Sequence, residues 1–173
     1  MKNIVLIGMP GAGKSTVGVL LAKSLLMDFT DTDLVIQRKT KKALSEIINE
    51  KGTDYFIDLE EKIILEETFR NCVIATGGSA VYGEKAMEKL CRDGICIYLD
   101  VSLAELVRRL GDITTRGIAM DKSEGIPELF EKRSPLYKKY AAFTVDCTDK
   151  TPEECVKSIY SQLNEINIKE AEK

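Results

Sequence analysis

The sequence predicts an α/β fold, in which a parallel β-sheet is covered by helices on both faces. Two observations predict it: short apolar runs typical of buried strands recur along the chain, and longer segments with apolar residues at helical spacing separate them. Ligands bind such sheets at the carboxyl ends of the strands. The runs lie at residues 3–7, 28–30, 72–75, 95–99 and 142–146, the second being the weakest, and the helical patterns lie at residues 14–27, 56–70, 83–92, 102–110, 124–132 and 152–165.

The composition predicts one soluble domain and excludes several kinds of partner. The 173 residues are 44% hydrophobic and 31% charged, and the net charge of −3 gives no basic surface for nucleic acid. No apolar run is long enough to cross a membrane, and we expect no signal peptide. The five cysteines form no C-x-x-C pair. We expect a cytoplasmic monomer with reduced thiols that binds neither nucleic acid nor a membrane.

A phosphate-binding loop follows the first apolar run. Residues 8–16 read GMPGAGKST, which fits the G-x-x-x-x-G-K-[ST] spacing between a predicted strand and a predicted helix. The glycines let successive backbone N–H groups face an anion, and the helix that starts near Lys14 directs its positive end to the same point. Lys14 is placed to reach the β- and γ-phosphates, and the Ser15 hydroxyl to bind Mg²⁺. The other residues predicted to bind the nucleotide are Gly11, Ala12, Gly13 and Thr16.

Two aspartates, Asp31 and Asp33, follow the weak run at residues 28–30. We expect these two carboxylates, in one extended segment, to serve different partners. One carboxylate can hold a water of the Mg²⁺ shell, and the other can accept a proton from the hydroxyl of a bound acceptor. An aspartate here could instead cap the helix that starts near Asp33.

A pair of glycines, Gly77 and Gly78, follows the buried run at residues 72–75. Because glycine has no side chain, the backbone N–H groups of such a pair can approach a small ligand closely. The alternative is a plain turn between a strand and a helix.

Three arginines are candidates for binding charged ligands. Arg109 ends a helical pattern, and Arg116 lies in the Gly- and Thr-rich stretch after it. A mobile segment that carries an arginine can close over a transferring phosphate, although a solvated arginine on a loop is the alternative. Arg133 lies in a basic run just before Pro135, which disfavours helical geometry at Ser134, so we expect the helix to end or bend near Arg133.

Together these segments resemble the shikimate kinases. The phosphate loop, the Asp-x-Asp pair, the Gly-Gly turn and the Arg-x-Pro-Leu-Tyr segment at residues 133–137 match that family in order and interval, from Ile4 to about Leu163. The resemblance implies a five-stranded parallel sheet of the P-loop nucleoside-monophosphate-kinase type. It also implies a single kinase domain over residues 1–173, with an acceptor-binding helical region at about residues 33–60 and a lid at about residues 111–123.

The activity that this resemblance implies is the ATP- and Mg²⁺-dependent phosphorylation of the 3-hydroxyl of shikimate, a small-molecule acceptor on the route to chorismate and the aromatic amino acids. The roles that it implies are Lys14 and Ser15 for phosphates and metal, Asp31 for Mg²⁺ through water, Asp33 for the acceptor hydroxyls and as a base, Gly77 and Gly78 for the acceptor pocket, Arg116 as the lid arginine, Arg109 for stacking on adenine, and Arg133 for the acceptor carboxylate.

The sequence departs from the family pattern at three places. Ile57 replaces an arginine that shares the acceptor carboxylate, Ser79 replaces a third glycine, and residues 116–119 read Arg-Gly-Ile-Ala in place of Arg-Pro-Leu-Leu. Losing a charge-assisted hydrogen bond should weaken shikimate binding by about 10- to 100-fold unless a basic side chain such as Arg38 compensates. Two alternatives stay open: a kinase of another small polyol, cyclitol or hydroxy acid, and a nucleotide-binding regulatory module without turnover.

Overall fold

The computed structural model describes residues 2–111, 118–120 and 124–171 of the chain. Its five strands form one parallel sheet in the order β2-β3-β1-β4-β5, which confirms the predicted five-stranded parallel sheet. All five runs predicted as strands are strands. Their bounds are Asn3–Ile7 (β1), Asp28–Asp31 (β2), Cys72–Ala75 (β3), Gly94–Asp100 (β4) and Phe143–Asp146 (β5).

The helices connect these strands. Within the described residues, none of them combines the length and the apolar character that spanning a bilayer would require. The helical patterns predicted six of the eight helices found in the described residues. The two that they did not predict, α2 and α3, are short and rich in polar residues. The helices are Lys14–Leu25 (α1), Thr32–Thr40 (α2), Leu44–Lys51 (α3), Thr53–Glu66 (α4), Glu84–Asp93 (α5), Leu103–Leu110 (α6), Ile126–Tyr140 (α7) and Pro152–Ala171 (α8), with a short 3-10 turn at Ala80–Tyr82.

The main core surrounds the three central strands. Every residue of β1 and β3 is buried, because helices cover both faces of the sheet, and this explains why these strands read as continuous apolar runs. In the sheet Val5 pairs with Ile74 on one side and with Cys96 on the other. The central strands therefore hold their carboxyl ends at a fixed edge.

A second, smaller core joins α2, α3 and α4 beside this edge. It contains Val35 and Ile36 from α2, Ile47 from α3, and Phe56 and Ile63 from α4, and Ala119 also packs into it. This cluster gives the three helices a shared apolar contact that is separate from the main core. It therefore fixes the position of the helices that follow β2.

We predicted that the helix ends or bends near Arg133. It does not end there, because α7 runs from Ile126 to Tyr140 with Pro135 inside it. Proline removes one backbone donor and disfavours the interior of a helix. Here Arg133, Ser134 and Tyr137 are all buried around it. We infer that tertiary packing of this face outweighs the local preference.

We predict that Ile36→Ala destabilises the protein through the second core. Ile36 is fully buried, so its truncation should lower the free energy of unfolding by about 2–5 kcal/mol. Leu34 on the same helix is 53% exposed, and Leu34→Ala is the matched control, with an expected change within about 0.5 kcal/mol. Urea denaturation of both variants measures the difference. Equal losses would contradict the existence of this separate core.

Candidate active site

A cavity of about 550 Å³ opens at the carboxyl edge of the sheet. It is lined by the loop after β1, the start of α2, the turn after β3, and parts of α4, α6 and α7. The structure therefore brings together site residues that are far apart in sequence. The predicted site residues that line it are Gly11, Gly13, Lys14, Ser15, Thr16, Asp33, Gly77, Gly78, Arg109 and Arg133.

The loop after β1 has the backbone of an anion cradle. Gly8 has a φ of 148° and Gly13 a φ of 91°, values that favour glycine. A side chain at Gly8 would also collide with the carbonyl oxygen of Leu99, which lies 2.7 Å from the position of its Cβ. No side chain caps the N-terminus of α1, which starts at Lys14. The positive end of this helix is thus available to an anionic ligand, while the neighbouring Ala12 is buried in the core.

The Lys14 side chain folds back along this loop. Its ammonium donates hydrogen bonds to the carbonyl oxygens of Gly8, at 2.7 Å, and Met9, at 2.9 Å. An ammonium has a third N–H, which these contacts leave for a ligand. Burial lowers the pKa of Lys14 to about 8, although the charges of Asp33 and Asp31 oppose this shift. Lys14 is therefore a desolvated cation held at the cradle.

Asp31 performs two tasks at the end of β2. Its Oδ2 accepts a hydrogen bond of 2.6 Å from the Ser15 hydroxyl, and its Oδ1 accepts one of 3.0 Å from the Asp33 N–H. The second contact caps α2, as the alternative interpretation had it. The prediction that Asp31 and Asp33 lie in one extended segment is wrong, because Asp33 lies in the first turn of α2 and only Asp31 belongs to the strand.

The oxygens of Ser15 and Asp31 are suited to Mg²⁺. Magnesium prefers oxygen ligands and is usually held by one or two protein groups together with substrate phosphates and water. Among the described residues, no cluster of three or more acidic, Cys or His side chains could hold a metal by itself. This pair of oxygens beside a phosphate cradle therefore fits a magnesium ion that arrives with a nucleotide.

Asp33 and a second carboxylate, Glu60, meet at Gly77. Asp33 Oδ1 lies 2.7 Å from the position that a Cβ on Gly77 would take, and Glu60 Oε1 lies closer still, so a side chain there would displace these carboxylates. Burial, followed by the charge of Asp31, raises the pKa of Asp33 to about 6, while Lys14 lowers it. Asp33 is thus ionised at neutral pH and can accept a proton from a hydroxyl group.

Glu60 was not among the site residues predicted from the sequence. It is fully buried on α4, and its Oε2 accepts a hydrogen bond from the Ser79 hydroxyl. The helical spacing could nevertheless have indicated its burial, because Glu60 falls on the same helical face as Phe56, Ile63 and Ile64, all of which are buried. A carboxylate within an apolar stripe is unusual, since burying a charge is costly.

Arg133 supplies a buried positive charge. It is 1% exposed, its Nε donates to the Tyr82 hydroxyl at 3.3 Å, and its Nη2 donates to the carbonyl oxygen of Ala119. Its guanidinium also lies over the Tyr82 ring, 5.2 Å from the centroid. Within the part of the chain that the structure describes, Arg133 forms no ion pair with an acidic side chain. A buried guanidinium that lines a cavity favours an anionic ligand.

Arg109 is anchored across the phosphate loop. Its Nε donates to Glu105 Oε1 at 2.7 Å, and its Nη groups donate to the carbonyl oxygens of Gly11, at 3.3 Å, and Cys147, at 3.4 Å. These contacts hold its guanidinium at the cavity wall. The predicted lid arginine, Arg116, lies outside the described residues.

Neither Ile57, which replaces the family's arginine, nor Arg38, which could compensate for it, is among the described residues that line the cavity. Ile57 is half-buried on α4 next to Phe56, which does line the cavity. Arg38 is exposed on α2 and contributes to a separate surface groove with Asp31 and Leu34. No described contact therefore places Arg38 as a substitute for the arginine that Ile57 replaces.

Comparisons with known proteins agree on one family. A family model described as shikimate kinase matches residues 10–164. The shikimate kinase of Thermodesulfovibrio yellowstonii is 41% identical over 170 residues, which are 96% of this chain and 98% of that protein. The structure of shikimate kinase from Acinetobacter baumannii in complex with shikimate has a TM-score of 0.88 at 29% identity and covers 95% of this chain and 94% of that one.

A more distant likeness concerns the fold alone. Thymidylate kinase from Candida albicans has a TM-score of 0.63 at 13% identity and covers 96% of this chain and 92% of that one. Together with the sheet order, this confirms the predicted P-loop fold of the nucleoside-monophosphate-kinase type.

We predict that Tyr137→Phe loosens the turn at Gly78. The Tyr137 hydroxyl donates a hydrogen bond of 2.7 Å to the Gly78 carbonyl oxygen, and its ring stacks on Tyr98 with a centroid distance of 5.2 Å. Phenylalanine keeps the stacking and loses the hydrogen bond, so the free energy of unfolding should fall by about 1–2 kcal/mol. Tyr160→Phe, at a 46% exposed position on α8, is the control and should change it by less than about 0.5 kcal/mol. Urea denaturation decides, and an unchanged Tyr137→Phe variant would contradict a role for this bond.

Proposed function

We propose that this chain, which belongs to the shikimate kinase family, transfers the γ-phosphoryl group of ATP to the 3-hydroxyl of shikimate. The observation that carries the proposal is a single cavity that holds a phosphate cradle, the Asp33 carboxylate and a buried Arg133. These are the parts needed to bind a triphosphate, a hydroxyl group and a carboxylate at once. The product would serve the biosynthesis of chorismate and the aromatic amino acids.

The phosphates of ATP would lie in the cradle formed by Gly11, Ala12, Gly13 and the first residues of α1. The free N–H of Lys14 points to a role with the β- and γ-phosphates, where the partial desolvation of its ammonium strengthens its interaction with charge. Thr16, exposed in the first turn of α1, is proposed as a further phosphate contact.

Ser15 and Asp31 would hold Mg²⁺, Asp31 through a water molecule. When bound, the metal would supply positive charge to the β- and γ-phosphate oxygens. The short hydrogen bond between the two side chains already brings their oxygens to one point, and the capping contact to α2 fixes the orientation of Asp31.

Asp33 would bind the acceptor hydroxyls and accept the proton of the attacking one. With a pKa of about 6 it is a carboxylate at neutral pH, yet it is more basic than an exposed aspartate. Gly77 and Gly78 would let the acceptor approach the backbone, and Arg133 would bind its carboxylate. Phosphoryl transfer needs little covalent work from the protein, so positioning and charge are the main contributions.

The remaining assignments follow from the family membership. Arg109 would stack on adenine, Arg116 would be the arginine of a lid over residues 111–123, and residues 33–60 would form the acceptor-binding region of a single kinase domain over residues 1–173. We further propose a cytoplasmic monomer. In support of a reducing compartment, the five cysteines are free thiols.

The two alternatives are not favoured. The relatives, at 35–41% identity over most of the chain, are named for one activity and one acceptor. A different polyol, cyclitol or hydroxy acid finds no support in these comparisons, and neither does a regulatory module without turnover.

A coupled assay of ADP release tests the proposal. We expect saturable turnover with ATP, Mg²⁺ and shikimate, and Lys14→Ala should reduce it by at least about 100-fold because the phosphates lose their desolvated cation. Lys23→Ala, exposed in the last turn of α1, is the control and should keep full activity. Turnover by Lys14→Ala would overturn the role of the loop, and faster turnover of a cyclitol or another hydroxy acid would overturn the choice of acceptor.

We also predict that Ile57→Arg tightens shikimate binding. Ile57 is half-buried on α4 beside Phe56, which lines the cavity, and in the family pattern an arginine at this position shares the acceptor carboxylate. The KM for shikimate should fall by roughly 10- to 100-fold with the KM for ATP unchanged. Ile57→Met, which has similar length without charge, is the control. An unchanged KM for shikimate in the arginine variant would refute the placement of position 57.

A further inference from the structure

Glu60 is a buried ionisable group to which the proposed mechanism gives no task. It is fully buried on α4, and its Oε1 has no hydrogen-bond partner among the residues that the structure describes. Its Oε2 accepts the hydroxyl of Ser79, and its Oε1 packs against Gly77. Both Gly77 and Ser79 line the cavity, so Glu60 lies directly behind the wall of the acceptor pocket.

An ionised carboxylate is expensive at this position. One of its oxygens has no donor in the described structure, and burial removes water from both. The neutral form avoids most of this cost. The carboxyl group therefore gains a proton more readily than an exposed glutamate would.

The groups around Glu60 have opposing effects on its ionisation. Asp33 on α2 favours the neutral form, while Arg133 on α7, Lys14 on α1 and the Ser79 hydroxyl favour the ionised form. Burial, followed by the charge of Asp33, raises the pKa of Glu60 to about 7. Small changes in the surrounding charge thus change its protonation at neutral pH.

We propose that Glu60 is a proton-linked positioning residue of the acceptor pocket, which takes up a proton when an acceptor that carries a carboxylate binds beside Arg133. The inference rests on the proposed function, because it places a carboxylate-bearing acceptor in this cavity. Such a carboxylate adds a negative charge next to Glu60 and engages the guanidinium that had favoured its ionised form. Protonation of Glu60 removes the repulsion that would otherwise oppose binding.

The same step explains how this chain tolerates Ile57. A second arginine would neutralise the acceptor carboxylate and Glu60 together, whereas Arg133 provides only one positive charge for two carboxylates. Taking up a proton restores the balance without another basic side chain. An acceptor with hydroxyl groups and no carboxylate would not require it.

Linkage gives the sign of the pH dependence. Because the bound acceptor raises the pKa of Glu60 above its value in the free protein, affinity is greatest below the free pKa and declines as the pH rises from there to the bound pKa. For a rise of about one pKa unit, the KM for shikimate should increase by about 10-fold from a pH well below the free pKa to a pH well above the bound pKa. The KM for ATP should not follow this profile.

The number of protons taken up on binding can be measured by isothermal titration calorimetry of the full chain with shikimate. The titration is run near pH 7.5 in two buffers of different ionisation enthalpy. We expect an uptake of about half a proton or more per shikimate in the wild type and none in Glu60→Gln, which keeps the shape and removes the titration. An uncharged cyclitol should cause no uptake. Glu61→Gln is the matched control on the same helix, since Glu61 accepts the N–H groups of Lys85 and Ala86 instead, and it should behave as wild type.

If Glu60→Gln does not fold, Ser79→Ala gives the second test. Loss of the hydroxyl that favours the ionised form should move the uptake and the rise in KM to higher pH. Equal proton uptake in wild type and Glu60→Gln, or an unmoved profile in Ser79→Ala, would overturn the inference while leaving the kinase assignment intact. Proton-linked shikimate binding without ADP release would instead overturn the proposed function alone. A folded protein that binds ATP and not shikimate would overturn both.

Discussion

Four buried or half-buried charges share one small region at the carboxyl edge of the sheet, and the architecture of the site depends on their balance. Lys14 and Arg133 contribute positive charge, and Asp33 and Glu60 contribute negative charge. None of the four could be desolvated alone at reasonable cost. The pKa values of Lys14, Asp33 and Glu60 shift toward neutrality, because burial disfavours each charged form while opposite charges restore it only in part. The pocket is therefore sensitive to any further charge that enters it.

The fold creates this region by bringing loops together rather than by any one motif. The parallel sheet aligns the ends of β1, β2 and β3, so the phosphate loop, the Asp31 cap and the Gly77 turn become neighbours. The second core then holds α4 against this edge, and α7 carries Arg133 into it. Gly77 is the point of closest approach, where two carboxylates occupy the space of a side chain.

The sequence predicted the parts of the molecule whose physics is local. The buried strands and the phosphate loop depend on residue type and spacing within a few positions, and both were found. The continuation of α7 past Arg133 and Pro135 was not predicted, and we infer that burial of Arg133 and Tyr137 decides it. Glu60 was missed since its importance comes from Gly77 and Ser79, neighbours that only the folded chain supplies. The helices α2 and α3 are too short and polar for a clear periodic pattern.

The chain contains no histidine, so proton chemistry near neutral pH must be done by groups whose ordinary pKa lies elsewhere. Burial moves two carboxyl groups into this range, Asp33 to about 6 and Glu60 to about 7. The difference between them follows from their surroundings: Asp33 lies at the cavity wall near Lys14, whereas Glu60 is fully buried behind that wall and faces the charge of Asp33. In the mechanism that we propose, one carboxyl group stays ionised and receives a proton from a hydroxyl, while the other responds to the charge of the acceptor.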